Sequence, residues 1–511
     1  PERPWSDAAL RRATAEGGVF ETLPAGEAPV VASAVDATAP MLSGDGKYTL
    51  VAFPHSHFYD GRGAALPWLQ EIPDPITSVA WQSWAEISLK TADDLGVEIG
   101  DVISIETSAG SLEVSVYPRG GIRDDVVAVP IGQGHTEGHW ASKTCDGMPG
   151  QVRGVNVIDA LSPGVDEKGG RAWLTDHASL AAPGKTRRLP MLQWSDNKRG
   201  RQLGDVVSLA ALASAAHGDH GEDHGDHGAK TDDHSSSGGH HEIHEPYDAG
   251  DDAVDDSPYR WGMTVDLDKC DGCSACIQAC YVENNIPVVG EVETLRVRQM
   301  PWLRLNRFVG EGQADLPLGR THPQANGEKL GDTDVRNVPM FCQQCGSAPC
   351  EPVCPVIATY TNEEGLNAMV YNRCIGTRYC ANNCPYKVRR FNFYDNQLTK
   401  WPEPMHLMLN PDVTVRGQGV MEKCTFCVQR IQAARQTAKD EDRLIAEGDV
   451  QTACQRACGS DAIGFGNVRD HESEFYKKFT NKKRGYHALH VLNTRPAVTY
   501  LSKVIRGKVE A

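Results

Sequence analysis

Several things are missing from this 511-residue chain, and each absence removes a class of protein. No run reaches the roughly 18 consecutive apolar residues that a helix needs to cross a bilayer. The nearest approach, "VVSLAALASAA" over 206–216, is too short and reads as one turn-rich helix. Any attachment to a membrane therefore falls to a partner. A positive excess is also missing: 51 Lys and Arg face 68 Asp and Glu, a net charge of −17, which argues against nucleic acid as a partner. Cys-x-x-Cys-His does not occur, so an ordinary c-type haem attachment is excluded. There is no leading Met and no signal peptide, so the expectation is a processed chain or part of a longer polypeptide.

Gly (50) and Pro (30) are plentiful, which points to many turns and short elements. Residues 1–46 show no periodicity and read as a tail or the end of a preceding domain. Residues 47–206 read as a small β-barrel with a few helices. "YTLVAF" (48–53), "DVISIET" (101–107), "SLEVSVYP" (111–118) and "DVVAVPIG" (125–132) alternate or run apolar as strands do. "SAGS" (108–111) is a hairpin turn, and "SLKTADDLGVEIGD" (88–101) a short helix before a strand. Residues 207–257 are poor in apolar residues and hold eight of the 18 histidines: His217, His220, His224, His227, His234, His240, His241 and His244. Such a segment buries too little to offset its ordering entropy, so it reads as a flexible linker rather than a metal trap. Residues 258–511 form a cysteine-rich domain with one good helix at 428–447 and an apolar tail at 486–505.

Cysteine carries most of the information. Of 16 cysteines, 15 lie between Cys270 and Cys458, and an odd cluster is a poor disulfide framework. The isolated Cys145 reads as an inert thiol. Four motifs follow in order. The first is Cys270, Cys273, Cys276, Cys280, and the second is Cys342, Cys345, Cys350, Cys354 with Pro355 after it. The third, "NRCIGTRYCANNCP" (372–385), has Cys374, Cys380 and Cys384, but Thr377 where a cysteine is due. The fourth is Cys424, Cys427, Cys454 and Cys458, split by 26 residues that hold the helix. Three thiolates two residues apart wrap three corners of a cubane iron–sulfur cluster, and the cysteine three residues on serves the neighbouring cluster. Four such motifs imply four clusters. Structural zinc uses paired cysteines, four to a site, and fits these triplets badly.

This region resembles the four-cluster ferredoxin subunits of the molybdopterin oxidoreductase superfamily, such as those of dimethyl sulfoxide, polysulfide and nitrite reductases. The resemblance implies that the first motif pairs with the fourth and the second with the third. One [4Fe–4S] cluster then takes Cys270, Cys273, Cys276 and Cys458. A second takes Cys424, Cys427, Cys454 and Cys280, and a third Cys342, Cys345, Cys350 and Cys384. The last site keeps Cys374, Cys380 and Cys354, with Thr377 at the missing corner. A hydroxyl is a weak iron ligand, so a [3Fe–4S] cluster is expected there.

"EGLNAMVYNRCIGTRYCANNCPYKVRRFNFYD" (364–395), "QMPWLRLNRF" (299–308) and "LNTRPAVTYL" (492–501) resemble the iron–sulfur subunit of alternative complex III, a bacterial quinol-oxidising complex. Residues 64–135 resemble the last domain of the molybdopterin superfamily, a double-psi β-barrel. The resemblance covers most of 47–205 and 258–505. Two departures, Gly459 after Cys458 and Tyr281 after Cys280, remove no ligand. The implied fold is α+β, mostly β: a double-psi barrel joined by the His-rich linker to a tandem ferredoxin-like domain. The implied role is that of an electron-transfer subunit, with no catalytic residue of its own. Its partners would be a polytopic quinol-binding membrane subunit and a multihaem cytochrome c, in a hetero-oligomer on the periplasmic face of the plasma membrane. "GQGHTEGHW" (132–140) resembles a cofactor-touching loop of active relatives, yet the metal-binding domains are absent. His135 and His139 therefore read as structural, and no molybdenum cofactor is expected. The rival is the electron-transfer part of a molybdenum-dependent polysulfide- or tetrathionate-type reductase. "KVRRFN" (387–392) is basic beside a cluster motif; its cations either offset cluster charge or form surface ion pairs.

Overall fold

The computed structural model describes residues 42–136, 152–164, 172–195, 198, 201–209, 212, 257–309, 335–396 and 403–506. His139, Cys145, all but the edges of the 207–257 segment and almost all of the 1–46 tail lie outside the described residues.

The first half is a closed six-stranded barrel. Its strands are β1 (Tyr48–Pro54), β2 (Ala85–Ile87), β3 (Val102–Glu106), β4 (Ser111–Pro118), β5 (Val126–Ile131) and β6 (His177–Ala181), ordered β1-β5-β2-β4-β3-β6. β1 lies parallel to β5 and β2 parallel to β4, while β3 pairs antiparallel with β4 and β6. Alternation explains the closure. In β1, Tyr48, Leu50 and Ala52 are buried between half-exposed neighbours. They meet Ile87, Ile103, Ile105, Val114, Val116, Val127 and Val129 in one apolar core. Two helices flank the strands, α1 (Pro67–Glu71) and α2 (Leu89–Leu95). Ser88 caps α2 by accepting from the Thr91 N–H, and Gly96 ends it in the left-handed region at φ 65°.

The second half is built around β8 (Trp261–Asp266), the inner strand of a sheet with β15 (Ile463–Asn467), β16 (Gly485–Tyr486) and β17 (Val498–Leu501). The apolar tail is thus structural: Val498–Leu501 runs parallel to β8. Four two-stranded ladders surround this sheet. They are β9 (Arg304–Val309) with β10 (Val335–Met340), β11 (Thr359–Thr361) with β12 (Asn367–Met369), β13 (Arg390–Phe391) with β14 (Met421–Glu422), and β7 (Val206–Ser208) with β18 (Lys503–Ile505). The last pairing corrects the start of the helix expected over 206–216: its first three residues form a strand, while the described Leu209 and Leu212 after them are helical. The 428–447 helix also differs. It spans Val428–Asp440 and stops where Asp440, Glu441 and Asp442 would stack carboxylates on its negative end.

The two halves share one core. Ile72 and Leu203 belong to the same buried cluster as the cysteines, and Trp68 and Leu69 pack against it. Polar contacts add precision. Arg153 and Gln82 both bond Glu291, while Gln193 exchanges two bonds with the Arg307 backbone. Glu71, fully buried, accepts from the Tyr281 hydroxyl at 3.0 Å and from the Val289 and Gly290 amides at 2.8 and 3.1 Å. Burial pushes its carboxyl up to about 7, outweighing the three donors.

The sign of the resulting pH effect follows. Below the unfolded carboxyl's value of 4.5 both states hold the proton and Glu71 carries no penalty. As pH rises towards 7 the unfolded chain loses its proton first, so stability falls. The full loss is on the order of 3 kcal/mol. The melting temperature of the wild-type chain is therefore expected to drop between about pH 5 and 8 by more than that of Glu71→Gln. Parallel melting curves for the two proteins would sink this account.

Candidate metal centre

Each cysteine motif turns through the left-handed region at its third position: Gly272 (φ 81°), Gln344 (46°), Gly376 (74°) and Phe426 (56°). The turn carries the chain from the first cysteine to the second around a common centre. At Gly376 only glycine serves, since a Cβ would meet the Gly419 carbonyl at 2.4 Å. The first and third motifs match further. Ser274 and Arg378 follow at φ 63° and 61°, and helices α3 (Ala275–Glu283) and α4 (Tyr379–Asn383) start directly after them. In this correspondence Thr377 stands where Cys273 stands in the first motif.

The structure gathers the 15 cysteines of this half into four groups. Cys270, Cys273, Cys276 and Cys458 act on one another electrostatically. Cys280, Cys424, Cys427 and Cys454 line one small cavity with Met263, Leu303, Phe341 and Phe426. Cys342, Cys345, Cys350 and Cys384 form the third group. Cys354, Cys374 and Cys380 line a second small cavity, and Thr377 and Arg389 line it with them. The groups stand in file. Cys454 of the second group acts on Cys276 of the first, and Cys342 of the third acts on Cys424 of the second. Arg389 joins Cys350 of the third to Cys380 of the fourth.

The chemistry of these donors fits a polynuclear metal core. Burial first, and neighbouring thiols second, push Cys276, Cys280 and Cys424 well above the usual thiol range, and Cys427 to about 12. Thiols buried in this way are stabilised as thiolates when a metal supplies compensating charge. Among the described residues, no three or more His, Cys, Asp or Glu close tightly enough to hold one ion. Cys354 behaves differently. Burial pushes it up, but the N–H groups of Ala358, Val356 and Thr359 and the charge of Arg389 outweigh that and hold it below the usual value. The Ala358 amide sits 3.2 Å from its sulfur.

Further groups shape these sites. The Asn284 amide donates to Cys280 Sγ at 3.5 Å, and the Ala453 amide to Cys427 Sγ at 3.4 Å. Of the basic stretch 387–392, Lys387 bonds the Asn382 carbonyl near the surface, while Arg389 turns inward onto sulfur. His135 lies in the other half, with Nε2 3.2 Å from the Gly132 carbonyl oxygen. No helix among the described residues is long and apolar enough to cross a membrane.

Cysteine groups, mostly buried or half-buried, held by left-handed turns in each motif define an iron–sulfur electron-transfer protein. A family model described as a 4Fe-4S dicluster domain matches residues 269–358. The iron–sulfur cluster-binding subunit of menaquinone reductase from Nitratidesulfovibrio vulgaris is 40% identical over 248 residues, covering 48% of this chain and 89% of that one. Subunit 1 of the Hdr-like menaquinol oxidoreductase of Archaeoglobus fulgidus is 34% identical over 43% of this chain and 74% of its own. A polysulfide reductase subunit of Wolinella succinogenes is 29% identical over 44% of this chain and 84% of its own. The chain belongs to this family, the iron–sulfur subunits of quinone-linked reductases. Acetylene hydratase from Pelobacter acetylenicus overlaps 27% of this chain and 18% of its own at 20% identity and a TM-score of 0.18, too slight a likeness to bear on fold or activity.

Proposed function

We propose that this chain is the electron-transfer subunit of a membrane-bound, quinol-oxidising complex of the alternative complex III type. Its ligand sets are Cys270, Cys273, Cys276 and Cys458; Cys280, Cys424, Cys427 and Cys454; and Cys342, Cys345, Cys350 and Cys384, each for a [4Fe–4S] cluster. Cys354, Cys374 and Cys380 hold a [3Fe–4S] cluster. When bound, these clusters supply one-electron transfer over a wide range of potentials. The barrel is read as double-psi and without a molybdenum cofactor. The observation that carries this reading is the three-cysteine cavity, with Thr377 at the place of the fourth ligand. Around it Ile357, Ile375 and Tyr379 stand 65%, 66% and 55% exposed. Such an apolar rim suits burial against a polytopic quinol-binding partner. A multihaem cytochrome c on the periplasmic face is the proposed acceptor. The menaquinone- and menaquinol-linked names of two relatives support the quinol side.

Electron paramagnetic resonance of the air-oxidised protein, with iron and molybdenum counted on the same sample, tests the reading. About 15 irons and a sharp oxidised-state signal are expected, since a three-iron cluster is paramagnetic when oxidised and four-iron clusters are silent. A silent sample with about 16 irons would mean that a surrogate ligand holds the fourth corner, and about 12 that the site is empty. Stoichiometric molybdenum would overturn the reading in favour of a molybdenum reductase part.

A further inference from the structure

Arg389 is a cation without a carboxylate. It is 5% exposed, and no carboxylate pairs with it among the described residues. Its Nη1 donates to Cys350 Sγ at 3.2 Å and to Asn367 Oδ1 at 3.1 Å, and its Nη2 lies 3.4 Å from Met369 Sδ. The charges that act on it are those of Cys350, Cys380 and Cys342, and it lines the three-cysteine cavity together with Cys380. It therefore spans two groups, with Cys350 in one and Cys380 in the other. Its orientation is held from behind. Asn367 accepts from Thr359 Oγ1 as well as from Arg389, and its Nδ2 donates to Glu351 at 2.6 Å. A second buried cation, Lys423, acts on the same Cys350 while its Nζ donates to the Cys424 carbonyl.

The Cys280, Cys424, Cys427 and Cys454 cavity offers a contrast. Its other walls are Met263, Asn284, Leu303, Phe341, Thr425, Phe426, Thr452 and Ala453, and the cation that acts on its Cys427 and Cys454, Arg430, is already paired with the Glu283 carboxylate. Hydrogen bonds and positive charge at cluster sulfur stabilise the more negative, reduced state, and a low-dielectric interior strengthens both effects. A cation already neutralised by a carboxylate, as Arg430 is, adds less of this.

We propose that Arg389 is a positioning residue that raises the reduction potentials of the two clusters it bridges together, so that electrons settle on that pair rather than in the Cys280, Cys424, Cys427 and Cys454 site. This inference rests on the cluster reading given above. One guanidinium, bonded to Cys350 and lining the cavity of Cys380, makes the two potentials move as a pair.

The test is a redox titration, followed by electron paramagnetic resonance, of the full cluster-loaded chain as wild type, Arg389→Gln and Arg389→Lys. In Arg389→Gln the oxidised-state three-iron signal and one reduced-state signal are expected to shift to lower potential, with the other two unmoved. Arg389→Lys keeps the charge but not the fork, so its ammonium is expected to restore one of the two shifts and not both. Unmoved potentials in Arg389→Gln, or all four moving together, would overturn the proposal. So would loss of either cluster from both variants, which would make Arg389 a structural post. A wild-type sample without the cluster signals or the iron would instead defeat the underlying cluster reading.

Discussion

Replacing Thr377 with cysteine is expected to add an iron and silence the oxidised protein. The loop from Cys374 to Cys380 repeats the backbone of the loop from Cys270 to Cys276, with left-handed residues at matching places. A thiol at 377 therefore stands as Cys273 does. Its loop is held by Gly376, which packs against the Gly419 carbonyl and leaves the position little freedom. Thr377 is exposed at the cavity, so the change carries no packing penalty. Iron should rise from about 15 to about 16 per chain, and the oxidised-state signal should vanish. Thr377→Ser should leave both unchanged. If Thr377→Cys keeps the wild-type count and signal, the three-cysteine site does not hold the cluster assigned to it.

The second large effect is on stability. Arg416 and Glu422 form an ion pair at 2.8 Å, with side chains 1% and 0% exposed. Such a pair is supported by the further hydrogen bonds of its members, which here engage all but the Arg416 Nε group. Arg416 also donates to the carbonyls of Asn284, Asn285 and Thr414, and its guanidinium lies over the Trp302 ring. Glu422 accepts from Trp302 Nε1 and Asn392 Nδ2. Glu422→Ala removes the anion and leaves the guanidinium buried without its counter-charge, a loss of about 3–5 kcal/mol. Because Asn284 also bonds Cys280 Sγ, the damage should reach the neighbouring cysteine group. Denaturant unfolding followed by the release of iron checks this. An unchanged midpoint would show that the pair is dispensable.

Legibility in the sequence followed the range of the forces. The barrel strands alternate within a few residues, so β1, β3, β4 and β5 stood out from pattern alone. Cysteine spacing is likewise local, and the motif turns around one centre could be read from it. The strand at Val206–Ser208 was hidden because its partner, Lys503–Ile505, lies at the far end of the chain. The overlong helix at 428–447 has a local cause, the carboxylates that end it, which periodicity does not weigh. Arg389 was visible only as one of several basic residues. What singles it out is the absence of a carboxylate and the approach of two sulfurs from separate motifs. Glu71 looked like an ordinary acidic residue, because the tyrosine and amides that bury it come from the other half of the chain.

The crossed arrangement of the cysteine groups also sets a timetable for synthesis. The group of Cys342, Cys345, Cys350 and Cys384 and the group of Cys354, Cys374 and Cys380 are complete once the chain has emerged as far as Cys384. The other two wait for Cys454 and Cys458, which return to residues near 270–280. On the proposed ligand sets the inner pair closes short loops and the outer pair long ones, so the middle of the domain is expected to take up metal first. A nascent chain halted before Cys424 would carry a finished centre and two open ends.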